Sequence, residues 1–296
     1  MNAPPNSEGV YEYCCHQIEY VKVFVKNGEE LTLKVGLKNF KDYDTPALAN
    51  DSKFSEDVDE VPGYFAPFCA KLVCAILYIA RSSRPDILYA TCRLTRFLTR
   101  WTRRQDAWLL RLLGYLRKTS KMKLNFKIHP PDFESGGDGI FENWHDADLG
   151  GDKSSRRSTT GGLGRLKGSK SNALVWAMCK RQGATALSTP DSETLGLVVV
   201  AKRVIPLHMT LQRLLKRELP HRYYGDNSAT ERVVNTGLSA ALSYLKRTVG
   251  ISLTWCKENL SRFLFRTESD ENISDVFTKA LDKDKFEKYR EMLGVF

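Results

Sequence analysis

The sequence predicts an α/β fold built on a mixed five-stranded sheet with flanking helices. Three strand-like segments follow one another after residue 138, and strand-like and helix-like segments then alternate. This order is typical of a mixed sheet that packs helices against its faces. The expected strands are 139–146, 158–166, 173–180, 221–226 and 261–267, and the expected helices are 190–204, 206–218, 228–236 and 274–293.

Two smaller regions are predicted upstream of this sheet. Residues 20–35 indicate a small hairpin, because valines and leucines alternate with polar residues on both sides of Asn27 and Gly28, a strong turn signal. Residues 63–118 indicate a three-helix connection region, since apolar side chains recur there at spacings of three and four. The longest apolar run, 64–80, contains a proline and a lysine and is interpreted as a buried helix rather than a membrane span.

Two changes of composition suggest where the chain divides. Residues 51–63 are acidic and 129–138 are rich in proline and glycine, which is typical of linkers. We therefore predict a hairpin and linker over 1–60, a basic helical connection region over 61–136, and the α/β domain over 137–296.

The overall composition excludes several classes of protein. With 296 residues and 42% hydrophobic residues, the chain can bury a large core, which argues against general disorder. Its seven cysteines include no C-x-x-C pair, so neither a disulfide framework nor a zinc site is indicated. A polar N-terminus does not resemble a signal peptide, and we expect a cytoplasmic or nuclear protein that is not secreted.

The charge balance points to a polyanionic partner. A formal net charge of +10 favours nucleic acid as the first candidate partner and an anionic membrane surface as the second. The same charge is also compatible with a basic soluble protein that has no such partner. Residues 81–123 hold twelve lysines and arginines against two acids. Arg104, Arg111 and Lys118 recur every seven residues on one predicted helix face. We expect this face to contact phosphates.

Four carboxylates stand at predicted strand ends and helix starts: Asp146, Glu193, Asp226 and Asp275. Strand ends and helix starts can share one edge of a sheet, where carboxylates could converge on a common point. Phosphodiester hydrolysis can use two Mg²⁺ ions about 3.5–4 Å apart, and Mg²⁺ prefers oxygen ligands. The pattern is compatible with two Mg²⁺ ions, or with Mn²⁺ in their place.

Each acid also has a structural interpretation. Asp275 could complete a helix start together with Asn272, Asp226 could cap the helix 228–236, and Glu193 could complement a helix dipole. Asp146 could be a turn residue at a strand end. The spacing alone leaves these alternatives open.

Longer motifs carry a family resemblance over roughly residues 40–296. They read Ser-Arg-Pro-Asp-Ile-Leu-Tyr-Ala at 83–90, Leu-Leu-Gly-Tyr-Leu-Arg-Lys-Thr at 112–119, Asp-Ala-Asp-Leu-Gly-Gly-Asp at 146–152, Arg-Arg-Ser-Thr-Thr-Gly at 156–161, and Val-Phe-Thr-Lys-Ala-Leu at 276–281. In order and spacing they resemble the C-terminal part of a copia-type retrotransposon polyprotein, from the tail of its reverse transcriptase through its ribonuclease H domain.

This resemblance implies a ribonuclease H-like domain and maps the family's metal-binding acids onto the four carboxylates. It implies that Asp146, Glu193 and Asp226 hold one Mg²⁺, and that Asp146 and Asp275 hold the other. Arg156, Arg157 and Asn227 are candidates for contacts to the nucleic-acid backbone. No Tyr-x-Asp-Asp polymerase motif occurs in the chain, so a polymerase centre would lie outside it.

The chain departs from the family pattern at three places. Leu149 replaces a tryptophan, 190–194 differ around Glu193, and the family's histidine is absent from 248–252. Two hypotheses therefore stand. One is a metal-dependent endonuclease that cleaves the RNA strand of RNA–DNA hybrids, with the upstream reverse transcriptase of a polyprotein as a further partner and no membrane. The other is a catalytically inactive nucleic-acid-binding module or retrotransposon remnant.

Overall fold

The computed structural model describes residues 4–48, 61–152 and 155–296. Contacts between Cα atoms divide the chain into two compact units. The sheet unit comprises Met1–Tyr13 and Phe126–Thr278, and the helical unit comprises Cys14–Asn125 and Lys279–Phe296. The C-terminal segment belongs to the helical unit, and the domain boundaries at 60 and 136 stay predictions. Most of the predicted acidic linker, 51–60, lies outside the described residues.

The described residues form one mixed sheet of seven strands, in the order β1-β2-β5-β4-β3-β6-β7. The strands are β1 Tyr11–Cys15, β2 Leu124–Ile128, β3 Ile140–Ala147, β4 Thr159–Lys167, β5 Asn172–Arg181, β6 His221–Gly225 and β7 Leu264–Arg266. Strand β2 pairs antiparallel with β5, β5 pairs antiparallel with β4, and β4 pairs antiparallel with β3. Strand β6 pairs parallel with both β3 and β7. The mixed α/β class is confirmed, and all five predicted strands are present as β3–β7. The predicted strand number was wrong, because β1 and β2 extend one edge.

The described helices are α1 Ile18–Lys34, α2 Cys69–Ser82, α3 Leu88–Thr95, α4 Arg103–Lys118, α5 Thr189–Leu215, α6 Ser228–Thr236, α7 Leu245–Thr248, α8 Leu253–Leu260 and α9 Lys283–Met292. The three helices predicted over 63–118 are confirmed as α2, α3 and α4. The apolar run at 64–80 forms much of α2, where Ile76 and Ile79 are fully buried.

Helix α5 replaces the two helices predicted at 190–204 and 206–218. Pro206 lies inside it, and the hydroxyl of Thr210 donates to the Pro206 carbonyl at 2.9 Å. Its length and composition would also allow it to cross a membrane. Leu197 and Val200 on its first half are fully buried in the core of the sheet unit, as expected for the core helix of a folded domain.

The predicted hairpin at 20–35 was wrong, because these residues form α1. Val21, Phe24, Val25, Gly28 and Thr32 are buried at the spacing of one helix face. A Cβ on Gly28 would lie only 3.2 Å from the Leu113 side chain, so glycine serves here as a packing residue. Burial against α4 therefore overrides the local turn signal of Asn27 and Gly28.

The last predicted helix, 274–293, was also wrong as a continuous element. Its first part is a 3-10 helix, Ile273–Phe277, in the sheet unit, and its second part is α9 in the helical unit. A separate helix starts at Lys283, because the Asp282 side chain accepts a hydrogen bond from the Lys285 amide at 3.0 Å.

Polar motif residues of the helical unit form a buried network. Arg84 is 1% exposed, and its Nε and Nη2 donate to the two oxygens of Asp86 at 2.9 and 2.8 Å. Arg84 Nη1 also donates to the Thr119 carbonyl at 2.9 Å, and the Tyr115 hydroxyl donates to Asp86 at 2.7 Å. Burial by itself would lower the pKa of Arg84, but Asp86 raises it above its ordinary value. The motifs at 83–90 and 112–119 therefore meet in one structural ion-pair network.

Candidate metal centre

Three of the four predicted acids come from neighbouring elements of the sheet unit. Asp146 is the next-to-last residue of β3, and Asp226 directly follows β6. Because β3 and β6 pair in parallel, their carboxyl ends lie at the same edge of the sheet. Glu193 lies in the second turn of α5, which packs against β3. The sheet order therefore explains why residues far apart in sequence can meet.

These three acids, here called the acidic triad, converge on one point. One carboxylate oxygen each from Asp146, Glu193 and Asp226 lies within 4.8 Å of the other two. Asp146 is 5% exposed and Glu193 is 3% exposed, whereas Asp226 is partly open to solvent. Solvent therefore reaches the triad at Asp226, whereas the other two acids are buried.

The donor set of the acidic triad fits a hard divalent cation. Like charges at this separation disfavour one another's ionised form unless a cation or protons compensate them. Carboxylate oxygens are the ligands that Mg²⁺ and Mn²⁺ prefer. The triad could therefore hold a metal ion through Asp146, Glu193 and Asp226.

Asp275 is buried but is not one of the three converging acids. It lies in the 3-10 helix Ile273–Phe277, which packs against β3 and β4. The Thr278 hydroxyl donates to Asp146 Oδ2 and lies 3.2 Å from the main-chain oxygen of Asp275. The Thr278 hydroxyl thus links the backbone of Asp275 to Asp146 of the triad. Asn272, rather than Asp275, caps this 3-10 helix through the Ser274 amide.

A neighbouring residue fills the structural role that was open for Asp226. Asn227 caps α6, since its side-chain oxygen accepts from the Thr230 amide at 2.9 Å. Asp226 is therefore not the helix cap. Ser188 caps α5, and Glu193 points into the buried interior beyond the first turn. Asp226 is thus placed at the triad without the capping role, whereas the cap at Ser188 leaves open that Glu193 complements the helix dipole.

His145 also lies beside the acidic triad. Its side chain is almost fully buried, and its Nδ1 lies 3.6 Å from Glu193 Oε2. Burial lowers the pKa of His145 to about 4, although Asp146 and Asp226 act in the opposite direction. The imidazole is therefore neutral near pH 7. Sequence reasoning assigned no role to His145 or Thr278, although each stands beside or inside a quoted motif.

Arg156 and Arg157 lie on the loop between β3 and β4, of which residues 153 and 154 are not described. Arg156 is exposed and adopts a left-handed backbone conformation with φ 53°. Its amide donates to the Asp152 carbonyl at 2.7 Å, and the Asp152 side chain pairs with Arg181 at 3.1 Å. These contacts hold the turn and leave the Arg156 side chain in solvent.

The predicted basic face of α4 is partly occupied within the helical unit. Arg111 donates to the Thr45 hydroxyl at 2.7 Å and lies over the Tyr43 ring. Lys118 forms an ion pair with Asp44. Arg104 is half-buried. Arg111 and Lys118 therefore already have partners in the chain.

Comparison with known proteins relates the chain to mobile elements. A scan against protein-family models finds no match. The chain is 28% identical over 277 residues, 90% of its length, to the retrovirus-related Pol polyprotein from transposon TNT 1-94 of Nicotiana tabacum, and it spans 20% of that polyprotein. It is 30% identical over 141 residues, 48% of its length, to the secreted RxLR effector protein 161 of Plasmopara viticola, and it covers 92% of that protein. The chain therefore belongs to the same protein family as this effector, and its similarity to the Pol polyprotein supports a retrotransposon origin.

Proposed function

We propose that the chain is a metal-dependent endonuclease of the ribonuclease H type that cleaves the RNA strand of RNA–DNA hybrids. The observation that carries this proposal is the acidic triad, formed by Asp146, Glu193 and Asp226 within 4.8 Å of one another. The similarity to a retrotransposon polyprotein supports it, because reverse transcription of RNA produces RNA–DNA hybrids.

The proposed roles follow from the placement of each acid. Asp146, Glu193 and Asp226 would hold a first Mg²⁺ or Mn²⁺ ion, and Asp146 with Asp275 would hold a second. Bound divalent ions supply an activated water and stabilise the charge on the leaving oxygen. The Thr278 hydroxyl donates a hydrogen bond to Asp146 Oδ2 and so orients the Asp146 carboxylate.

Recognition of the hybrid would depend on shape and on 2′-hydroxyl groups more than on base sequence. Arg156 is the best placed of the predicted backbone contacts, because its side chain is exposed. Arg157 and the free amide group of Asn227 are the others. Arg104, Arg111 and Lys118 on the basic face would contact phosphates once their contacts within the chain are broken. The upstream reverse transcriptase of a polyprotein is a further proposed partner.

One observation favours the alternative of an inactive nucleic-acid-binding module. Asp275 lies outside the group of three acids that meet at one point. Leu149 also stands 48% exposed where the family resemblance expects a tryptophan. A module that binds nucleic acid and one cation without hydrolysis would be compatible with both features.

A cleavage assay separates the two functions. The full chain is incubated with end-labelled RNA–DNA hybrid, double-stranded RNA, single-stranded RNA and double-stranded DNA, each with Mg²⁺, Mn²⁺ or EDTA. We expect cleavage of RNA in the hybrid alone, with a divalent ion present, and no cleavage by Asp146→Asn. The matched control is Glu258→Gln, which removes an exposed carboxylate of the sheet unit and should cleave like the wild type. Retardation of the hybrid without cleavage under either metal would support the binding module instead.

A further inference from the structure

His145, beside the acidic triad, is a buried histidine whose ring nitrogens make no hydrogen bonds. Its residue is 1% exposed, and neither ring nitrogen has a hydrogen-bond partner in the structure. Burial of polar nitrogens without partners is unfavourable, because the hydrogen bonds to water are lost and not replaced. A histidine in this position therefore suggests that a partner is gained in another state of the protein.

An acid of the triad beside the ring is the candidate for that partner. His145 Nδ1 lies 3.6 Å from Glu193 Oε2, slightly beyond hydrogen-bond length. Polar contacts of functional sites are often long without ligand and shorten when the ligand binds. An Nδ1–H group can be present whether the imidazole is neutral or charged. A small rotation of the Glu193 carboxylate would bring the two atoms together.

The chain also makes room for this ring. A Cβ on Gly225 would lie 2.4 Å from His145 Nε2, closer than two such atoms can approach. Gly225 ends β6 immediately before Asp226 and has no left-handed backbone conformation that would require glycine. The missing side chain at this position therefore serves the His145 ring. On its other side, the His145 main-chain oxygen accepts from Asn272 Nδ2 at 3.2 Å, which anchors the strand.

We propose that His145 is a positioning residue of the metal centre, whose Nδ1–H donates to Glu193 Oε2 and orients that carboxylate toward a bound divalent cation. The same task is performed for Asp146 by the Thr278 hydroxyl. Two of the three triad carboxylates would then be held by donors from the protein. Hydrogen-bond donors to metal ligands typically contribute about 10–100-fold to metal affinity. This inference rests on the proposed metal centre but does not require hydrolysis of nucleic acid.

The test compares metal affinity with metal-free stability in the full chain. Mn²⁺ and Mg²⁺ are titrated calorimetrically into the wild type and His145→Phe, and urea midpoints are measured in EDTA. We expect His145→Phe to bind both ions about 10–100-fold more weakly. Its urea midpoint in EDTA should be unchanged or higher, because two unpaired buried nitrogens are removed. A merely structural histidine gives the opposite pattern, with a lower midpoint and unchanged metal affinity, and would overturn the proposal.

A conservative pair keeps the test decisive if His145→Phe does not fold. The amide nitrogen of an asparagine can occupy nearly the position of Nδ1, whereas that of a glutamine reaches the position of Nε2. His145→Asn should therefore retain most of the metal affinity, and His145→Gln should lose it. Equal affinities of these two variants, or no metal binding by the wild type, would overturn the proposal. Metal binding without hybrid cleavage would refute the nuclease function and leave the role of His145 standing.

A matched control is His221→Phe, which alters another partly buried histidine of the sheet unit. His221 stacks on Phe263 and lies beside His208, at the opposite end of β6 from Asp226. We expect this variant to bind Mn²⁺ and Mg²⁺ like the wild type. Weakened binding in this control as well would overturn the specific assignment to His145.

Discussion

Asp146→Asn should abolish the stabilisation of the protein by Mg²⁺ while leaving the metal-free fold as stable as the wild type or more stable. In the metal-free protein, Asp146 lies close to two other carboxylates, and removal of one negative charge relieves their repulsion. Asparagine retains a side-chain oxygen that can accept the Thr278 hydrogen bond. The substitution therefore removes the charge needed for the cation with little change in packing.

The measurement is a pair of urea midpoints for each protein, in EDTA and in Mg²⁺. A ligand present at 100 times its dissociation constant stabilises the folded state by about 2.7 kcal/mol if it does not bind the unfolded chain. We expect a gain of this order for the wild type and a much smaller gain for Asp146→Asn. A purely structural carboxylate behaves differently, since loss of a cap costs about 0.5–2 kcal/mol without metal. Equal Mg²⁺ responses, with a destabilised variant in EDTA, would contradict the metal assignment.

Asp86→Asn should produce the largest loss of stability in the helical unit, about 3–5 kcal/mol. Both side chains of the Arg84–Asp86 pair are essentially inaccessible to solvent. Neutralising Asp86 leaves the Arg84 guanidinium buried without its counter-charge, which is far more costly than losing one neutral hydrogen bond. Urea unfolding followed by circular dichroism measures the effect.

A double variant provides the control for this pair. Replacement of both charges, as in Arg84→Met with Asp86→Leu, leaves no isolated buried charge and should be less destabilising than Asp86→Asn alone. Tyr115→Phe, which removes one hydrogen bond to Asp86, should cost only about 1 kcal/mol. If Asp86→Asn were no more destabilising than Tyr115→Phe, the ion pair would not have the structural importance inferred here.

Part of the sheet unit was predictable because local signals there agree with the tertiary structure. The strands β3–β7 and the helix α6 lie within a few residues of their predicted bounds. Helix α1 of the helical unit was harder, because local and tertiary signals conflict there, whereas α2, α3 and α4 were predicted. In α1, Asn27 and Gly28 favour a turn, but burial of Phe24 and Thr32 on one face selects a helix. Only contacts distant in sequence could reveal this.

The candidate site was predicted in part for a similar reason. Asp146 and Asp226 follow strand patterns, so their common edge can be inferred once the sheet order is known. Asp275 was expected at the start of a long helix. It lies instead in the short 3-10 helix Ile273–Phe277, which is separate from α9. His145 could not be assigned a role from sequence, because a histidine beside an aspartate has no distinctive pattern. Its role follows from burial and from the space left at Gly225.

Joint binding of a divalent cation by Asp146, Glu193 and Asp226 is the property on which the proposed function depends. Electron paramagnetic resonance measures it most directly, because the signal of free Mn²⁺ decreases when the ion binds to protein. We expect the wild type to bind Mn²⁺, Mg²⁺ to displace it competitively, and Asp146→Asn, Glu193→Gln and Asp226→Asn each to weaken binding at least about tenfold. Glu258→Gln should bind like the wild type. Absence of Mn²⁺ binding by the wild type, or binding that is equal in all four variants, would contradict the claim.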